Sequence, residues 1–238
     1  MKKLLVLACA ALFAVGMVQT AQAWEITASD LTDGEMTAQE AGVWEATAGP
    51  RPFEHKTYNV GGKSFTGVGI EGGFVDGEID IKGEEFIAID IFELTKISEI
   101  TLGFLFEDGN HHDTVDEVAV IDYWDTNDVQ YTATLSVVHT NAGLTASWSN
   151  LDGTATIVPG FAGLQNKGGL WQILNPFGDM LVKKVVFRAN NDQGPGVVAN
   201  QGSDYVLVSV NVPEPSTVLL LGGGLLGLVA FGRKYAKK

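Results

Sequence analysis

"VQYTATLSVV", Val129 to Val138, decides the fold. Val129, Tyr131, Ala133, Leu135 and Val137 fall on one side of an extended chain; Gln130, Thr132, Thr134 and Ser136 fall on the other. Successive side chains of a strand point to opposite faces, so this stretch predicts a strand with one buried face. The pattern repeats on either side. "EEFIAIDIFEL" sets Ile87, Ile89 and Ile91 against Phe86, Ala88, Asp90 and Phe92. "ISEITLGFLFED" alternates Ile100, Leu102, Phe104 and Phe106. "VDEVAVIDYWD" sets Ala119, Ile121 and Tyr123 against Val118, Val120 and Asp122. "MLVKKVVF" and "DYVLVSVNV" read as two late strands. "GLTASW" and "GTATIV" flank Ser149-Asn150-Leu151-Asp152 and predict a hairpin, with Asp152-Gly153 as its turn signal. Residues 31–46 are the best helix candidate, but Gly34 and Gly42 argue against a long helix. Short strands at this spacing, with Gly- and Asp-rich turns, predict an all-β domain: an antiparallel β-sandwich of jelly-roll type.

The ends differ from this middle. Met1-Lys2-Lys3 is followed by an apolar run from Leu4 to Val18, then Ala21-Gln22-Ala23. A basic start, a short greasy core and small residues at the cleavage positions predict a secretory signal peptide over 1–23, cut between Ala23 and Trp24. Cys9 is the only cysteine and lies inside that run. A lipoprotein reading of Val6-Leu7-Ala8-Cys9 is weaker, because the apolar stretch continues past it. The exported portion then has no cysteine, and its fold rests on a hydrophobic core without disulfides.

At the other end, "VPEPSTVLLLGGGLLGLVAFGRKYAKK" runs from Val212 to Lys238. Thr217 to Gly232 carries no charge, and as a helix would span about 24 Å, a little short of a ~30 Å hydrocarbon core. Its glycines weaken a helix in water but are tolerated in a membrane. Arg233, Lys234, Lys237 and Lys238 follow, and positive charge stays on the cytoplasmic side. The tail would therefore sit inside and residues 24–215 outside, the orientation that the signal peptide also dictates. Pro213 and Pro215 cannot donate backbone hydrogen bonds and hold the segment extended before the span.

Signal peptide, Pro213-Glu214-Pro215, short Gly-rich span and basic cluster together resemble the PEP-CTERM sorting signal of exported bacterial proteins. The resemblance covers residues 212–238 and implies a 24–211 working domain between two processed ends. It implies recognition by an exosortase, after signal peptidase, with removal of the tail near Pro213, Glu214 and Pro215. It also implies a Gram-negative bacterium with an exopolysaccharide or biofilm system, and a membrane-anchored intermediate that ends at the cell surface or in the matrix. These residues are a substrate signal, not a catalytic site.

Charge narrows the partners of the middle. Residues 24–215 hold all 29 acidic residues and nine of the basic ones; nine minus 29 gives −20. Nucleic acid and anionic membrane surfaces are repelled, which leaves cations and neutral or cationic partners.

Candidate chemistry lies in two polar stretches. "FEDGNHHDTVDE" (106–117) and "DYWDTND" (122–128) could bring Asp108, Asp113, Asp122, Asp125 and Asp128 around a structural calcium, which takes several oxygen ligands from loops. Neither has the D-x-D-x-D-G spacing, and Asp, Asn and Gly favour turns without any metal. His111 and His112 point to opposite faces if extended, and no H-x-x-x-H or cysteine partner supports zinc. Glycoside hydrolysis needs two carboxylates across a cleft, and an acidic chain always offers pairs. Glu84-Glu85 reads as an exposed edge before a strand. There is no Gly-x-Ser-x-Gly, and "NVGGKSF" lacks the first glycine of a phosphate loop. No cofactor is expected beyond the calcium alternative. Trp124 is the tryptophan expected to be partly exposed, and "DYWDTND" would suit a sugar platform. Trp148 and Trp171 read as core. The sequence thus predicts a non-enzymatic, exosortase-processed surface or matrix protein whose β-sandwich interacts with extracellular polysaccharide or packs structurally within that matrix. A secreted polysaccharide hydrolase and a membrane tether that is never cut are the competing readings.

Overall fold

A computed structural model describes residues 23–60, 62–73, 76–81, 84–105, 117–140, 143–150, 152–159, 161, 169–190 and 203–213. Outside them lie residues 1–22, where the sequence leads one to expect a signal peptide, Glu214 onward, with the expected membrane-spanning helix, and the 106–116 stretch with Asp108, His111, His112 and Asp113. Among the described residues no helix is long and apolar enough to cross a membrane.

The unit Glu25–Val212 is built almost wholly of strands. The first six are β1 (Trp24–Thr27), β2 (Thr37–Glu40), β3 (Trp44–Gly49), β4 (Phe53–Val60), β5 (Lys63–Ile70) and β6 (Ile79–Asp80). Then come β7 (Phe86–Thr95), β8 (Glu99–Leu105), β9 (Val118–Asp125), β10 (Gln130–Thr140) and β11 (Gly143–Trp148). β12 (Thr154–Ile157), β13 (Gly169–Leu174), β14 (Val182–Ala189) and β15 (Asp204–Val212) complete the order, with one 3-10 turn at Ala28–Asp30.

The strands form two sheets. One runs β12-β13-β8-β15-β5-β4, with β1 and β6 also on β15; the other runs β11-β10-β9-β14-β7-β3-β2. Neighbours along both paths pair antiparallel. The chain crosses repeatedly between sheets, so that β5-β15-β8-β13 lie in one and β7-β14-β9-β10 in the other.

The core is the inward faces of both. Ile87, Ile89 and Ile91 of β7, Ala119 and Ile121 of β9, and Ala133, Leu135 and Val137 of β10 are buried, as their alternation requires. Ile100 and Leu102 of β8, Val68 and Ile70 of β5, and Leu207 and Val210 of β15 are buried in the other sheet. Each fully buried large aliphatic side chain contributes about 1.5–3 kcal/mol. Polar groups close the seam between sheets: the Tyr205 hydroxyl donates to the Arg188 carbonyl at 3.1 Å, and the Val118 amide donates to Ser203 Oγ at 2.8 Å.

Three expectations change, and the argument against a helix over residues 31–46 holds. "GLTASW" and "GTATIV" are not a hairpin: β11 pairs with β10, whereas β12 pairs with β13 in the other sheet. The turn Gly153 N to Asn150 O exists, but it passes the chain between sheets. The alternation of β8 breaks at a bulge, where Gly169 pairs with Leu105 but Leu170 with Gly103; Leu105 takes a buried place. Val129, which precedes β10, and Tyr131, on its inward side, are 46% and 37% exposed. Residues 31–46 form no helix; Gly34 and Gly42, at φ 78° and 80°, turn the chain into β2 and β3.

Candidate functional site

The outward face of the second sheet follows from its register. One row reads Glu45, Asp90, Lys184, Trp124 and Gln130 across β3, β7, β14, β9 and β10. The next reads Thr47, Ala88, Val186, Asp122 and Thr132, and the third Gly49, Phe86, Arg188, Val120 and Thr134. A bulge on β14 between Val182 and Lys184 keeps Lys184 opposite Trp124. Ala88, Val120 and Asp122 are buried although they face outward. Trp124, Lys184, Val186, Phe86 and Arg188 are half-buried, and Gln130 and Thr132 are exposed.

The carboxylates of "DYWDTND" are held apart by separate tasks. Asp122 accepts from Arg188 Nε at 2.7 Å and Thr132 Oγ1 at 2.6 Å. Asp125 accepts from the amides of Asn127 (2.8 Å) and Val129 (2.9 Å), which hold its carboxyl below the usual range, the Val129 amide most. Asp128 has a left-handed backbone at φ 65° and pairs with Lys183. These three do not meet at one point. Among the described residues no group of three His, Cys, Asp or Glu side chains is placed to hold a metal ion. Trp124 stands half-buried beside Lys184, which bonds Asp90 at 3.1 Å. Trp44 and Trp171 are buried core residues; Trp148 is half-buried, and its Nε1 donates to the Pro176 carbonyl at 3.0 Å.

A second feature, absent from the sequence reading, lies where β6 turns into β7. A cavity of about 260 Å³ is lined by Asp80, Ile81, Glu84, Glu85, Phe86, Val186, Arg188 and Ala189. Glu84 and Glu85 are not both an exposed edge: Glu84 is exposed, but Glu85 is 2% exposed. The left-handed turn at Glu84 (φ 56°) separates the two side chains, leaving the first outside and the second packed beneath. Glu85 Oε1 pairs with Arg51, and Oε2 accepts from the Asp80 amide at 2.8 Å. Burial pushes its carboxyl up to about 7; the Asp80 amide opposes this, the Asp80 charge adds to it, and Arg51 opposes it. Gly73 permits the approach: a Cβ there would stand 2.4 Å from Asp80 Oδ2 and 2.7 Å from Glu85 Oε1. Gly49 plays the same part for Phe86, whose ring would meet a Cβ at 2.4 Å. Glycines opposite bulky groups were the available sequence signal, but which group each would face is a tertiary fact.

A third cluster lies on β4. Loss of water, then the hydrogen bond and charge of Asp76, push Glu54 up to about 7. Asp76 is held low, first by the Gly72 amide and then by Glu54.

Pro213, described and exposed, follows β15 directly. Glu214, Pro215, Arg233, Lys234, Lys237 and Lys238 lie outside the described residues, as does Ala21; Ala23 is exposed and Trp24 half-buried. The family model described as the PEP-CTERM protein-sorting motif matches residues 211–234. No curated protein matches the chain. The motif marks an exported chain that is handed to an exosortase from a membrane-anchored intermediate.

Proposed function

We propose that this PEP-CTERM protein is a non-catalytic surface or matrix protein whose domain, a jelly roll by its strand order, binds neutral polysaccharide of an exopolysaccharide or biofilm. The sorting motif supplies the address. Trp124 carries the binding reading: it is a half-buried indole on a sheet face, flanked by the exposed amide of Gln130 and the Lys184–Asp90 pair. An aromatic plane takes the C–H face of a sugar ring, and amides and charged groups take its hydroxyls. A net charge of nine minus 29, or −20, over residues 24–215 disfavours anionic glycans. The non-catalytic reading rests on occupied carboxylates, since Asp122 and Glu85 spend their oxygens on this chain's own donors.

Affinity electrophoresis against the host's own polysaccharide tests this. Trp124→Ala should weaken retention about tenfold or more, as losing one stacked aromatic would. Unchanged retention would sink the platform. Intact mass from cells with and without the exosortase tests processing. A tail retained in wild-type cells would favour the uncleaved tether. The hydrolase reading draws on Glu85, near 7 beside Asp80 at a cavity. Polysaccharide shortening that is lost in Glu85→Gln would replace the binding reading with that one.

A further inference from the structure

The cavity at the β6–β7 turn shares the outward face with Trp124 but lies two rows away, at Phe86 and Arg188. Its size is the first constraint. About 260 Å³ falls below the roughly 300–1,000 Å³ of pockets for drug-sized ligands. One six-membered ring fits; a run of chain does not. Its lining is the second. The half-buried Phe86 ring, lying across Gly49, and the Val186 side chain make an apolar wall. Glu84 and Arg188 stand on the same cavity. Asp122 takes two N–H groups of Arg188, and a guanidinium has five. Backbone conformation is the third. Glu84 sits at φ 56°, a left-handed conformation that a side chain of this kind rarely adopts. Such strain persists where surrounding structure imposes it, and it gathers at ligand sites.

An amphipathic ring is what such a lining recognises: carbon–hydrogen face on Phe86 and Val186, hydroxyls on Glu84 and Arg188. Charge selects among rings. Asp80, Glu84 and Glu85 line the cavity, and the charge of Arg188 is already met by Asp122, so a carboxylated or sulfated sugar is repelled. We propose that this cavity is a subsite for a single neutral pyranose, the end or branch sugar of the polysaccharide that Trp124 holds along its chain. The substrate class rests on the reading of Trp124; the cavity's own ring does not.

Saturation-transfer NMR on the full chain, in a sugar-free detergent, tests it with methyl glucoside, galactoside, mannoside and xyloside, and with methyl glucuronide as the charged control. At least one neutral glycoside should receive transfer, the glucuronide less. Val186→Trp, which fills the cavity from a half-exposed position, should lower that affinity tenfold or more. Glu84→Gly should lower it as well while leaving the melting temperature equal or higher, a split that a merely structural residue would not give. Trp124→Ala should leave the monosaccharide untouched. No transfer from any neutral glycoside would overturn the subsite, as would transfer unchanged in both cavity variants or a preference for the glucuronide. Loss of polysaccharide retention in the wild type with ring binding kept would fell the platform reading and leave the subsite standing.

Discussion

Two acidic regions of this molecule invite comparison. Residues 122–128 hold Asp122, Asp125 and Asp128 within seven positions, and each meets a different partner: Arg188, the turn amides, Lys183. Residues 73–85 hold five acids in thirteen positions, no denser along the chain, yet Asp80 and Glu85 reach the same point beside Gly73, with Arg51 coming from 34 positions away. Density along the chain is not density in space. A strand spreads neighbours to opposite faces, whereas a loop that folds back over a glycine gathers them.

Substitutions can break that contrast. Asp122→Ala should have the largest effect. It strips Arg188 and Thr132 of their acceptor and should cost about 2–3 kcal/mol by denaturant melt; fully buried pairs lose about 3–5, but Arg188 keeps 39% exposure. A cost below about 0.5 kcal/mol would mean that this carboxylate is idle and free for other ligands. Gly73→Ala comes next, at about 1–3 kcal/mol, because its methyl must displace two buried carboxylates or the backbone. A silent Gly73→Ala would deny that the second region is gathered at all.

Acidity gives a subtler test. The unfolded Glu85 loses its proton near 4.5 and the folded one near 7. Between those values the folded chain binds more protons, so stability falls as pH rises through that window and levels off above it. Glu85→Gln should flatten part of that fall, and Glu54, with the same sign, should keep the remainder. Identical pH profiles for wild type and variant would remove Glu85 from the account. Glu84→Gly should stabilise by about 1 kcal/mol through relief of left-handed strain. Asp179→Asn, which breaks an exposed pair with Lys96, should leave the melting midpoint unmoved. A measurable loss there would show that exposed pairs matter as much as the two regions compared.

Much of the sheet structure was legible because burial is a local period. Ala133, Leu135 and Val137 face inward as their alternation said. Pairing was less legible. Asp152-Gly153 does turn the chain, but a turn residue cannot tell whether its flanking strands pair with each other or with separate sheets. Trp124 was legible as a half-exposed aromatic among polar neighbours. The cavity was not, since Phe86 meets Gly49 and Asp80 meets Gly73 only once the fold exists.

β15 lies between β8 and β5 and also carries β1 and β6. It is the strand directly before Pro213. Without it, β8 and β5 would each present an open edge onto which another strand could pair. Truncation before residue 204 should therefore cost this domain far more than the loss of one strand at the rim of a sheet: both halves of that sheet lose the neighbour that joins them.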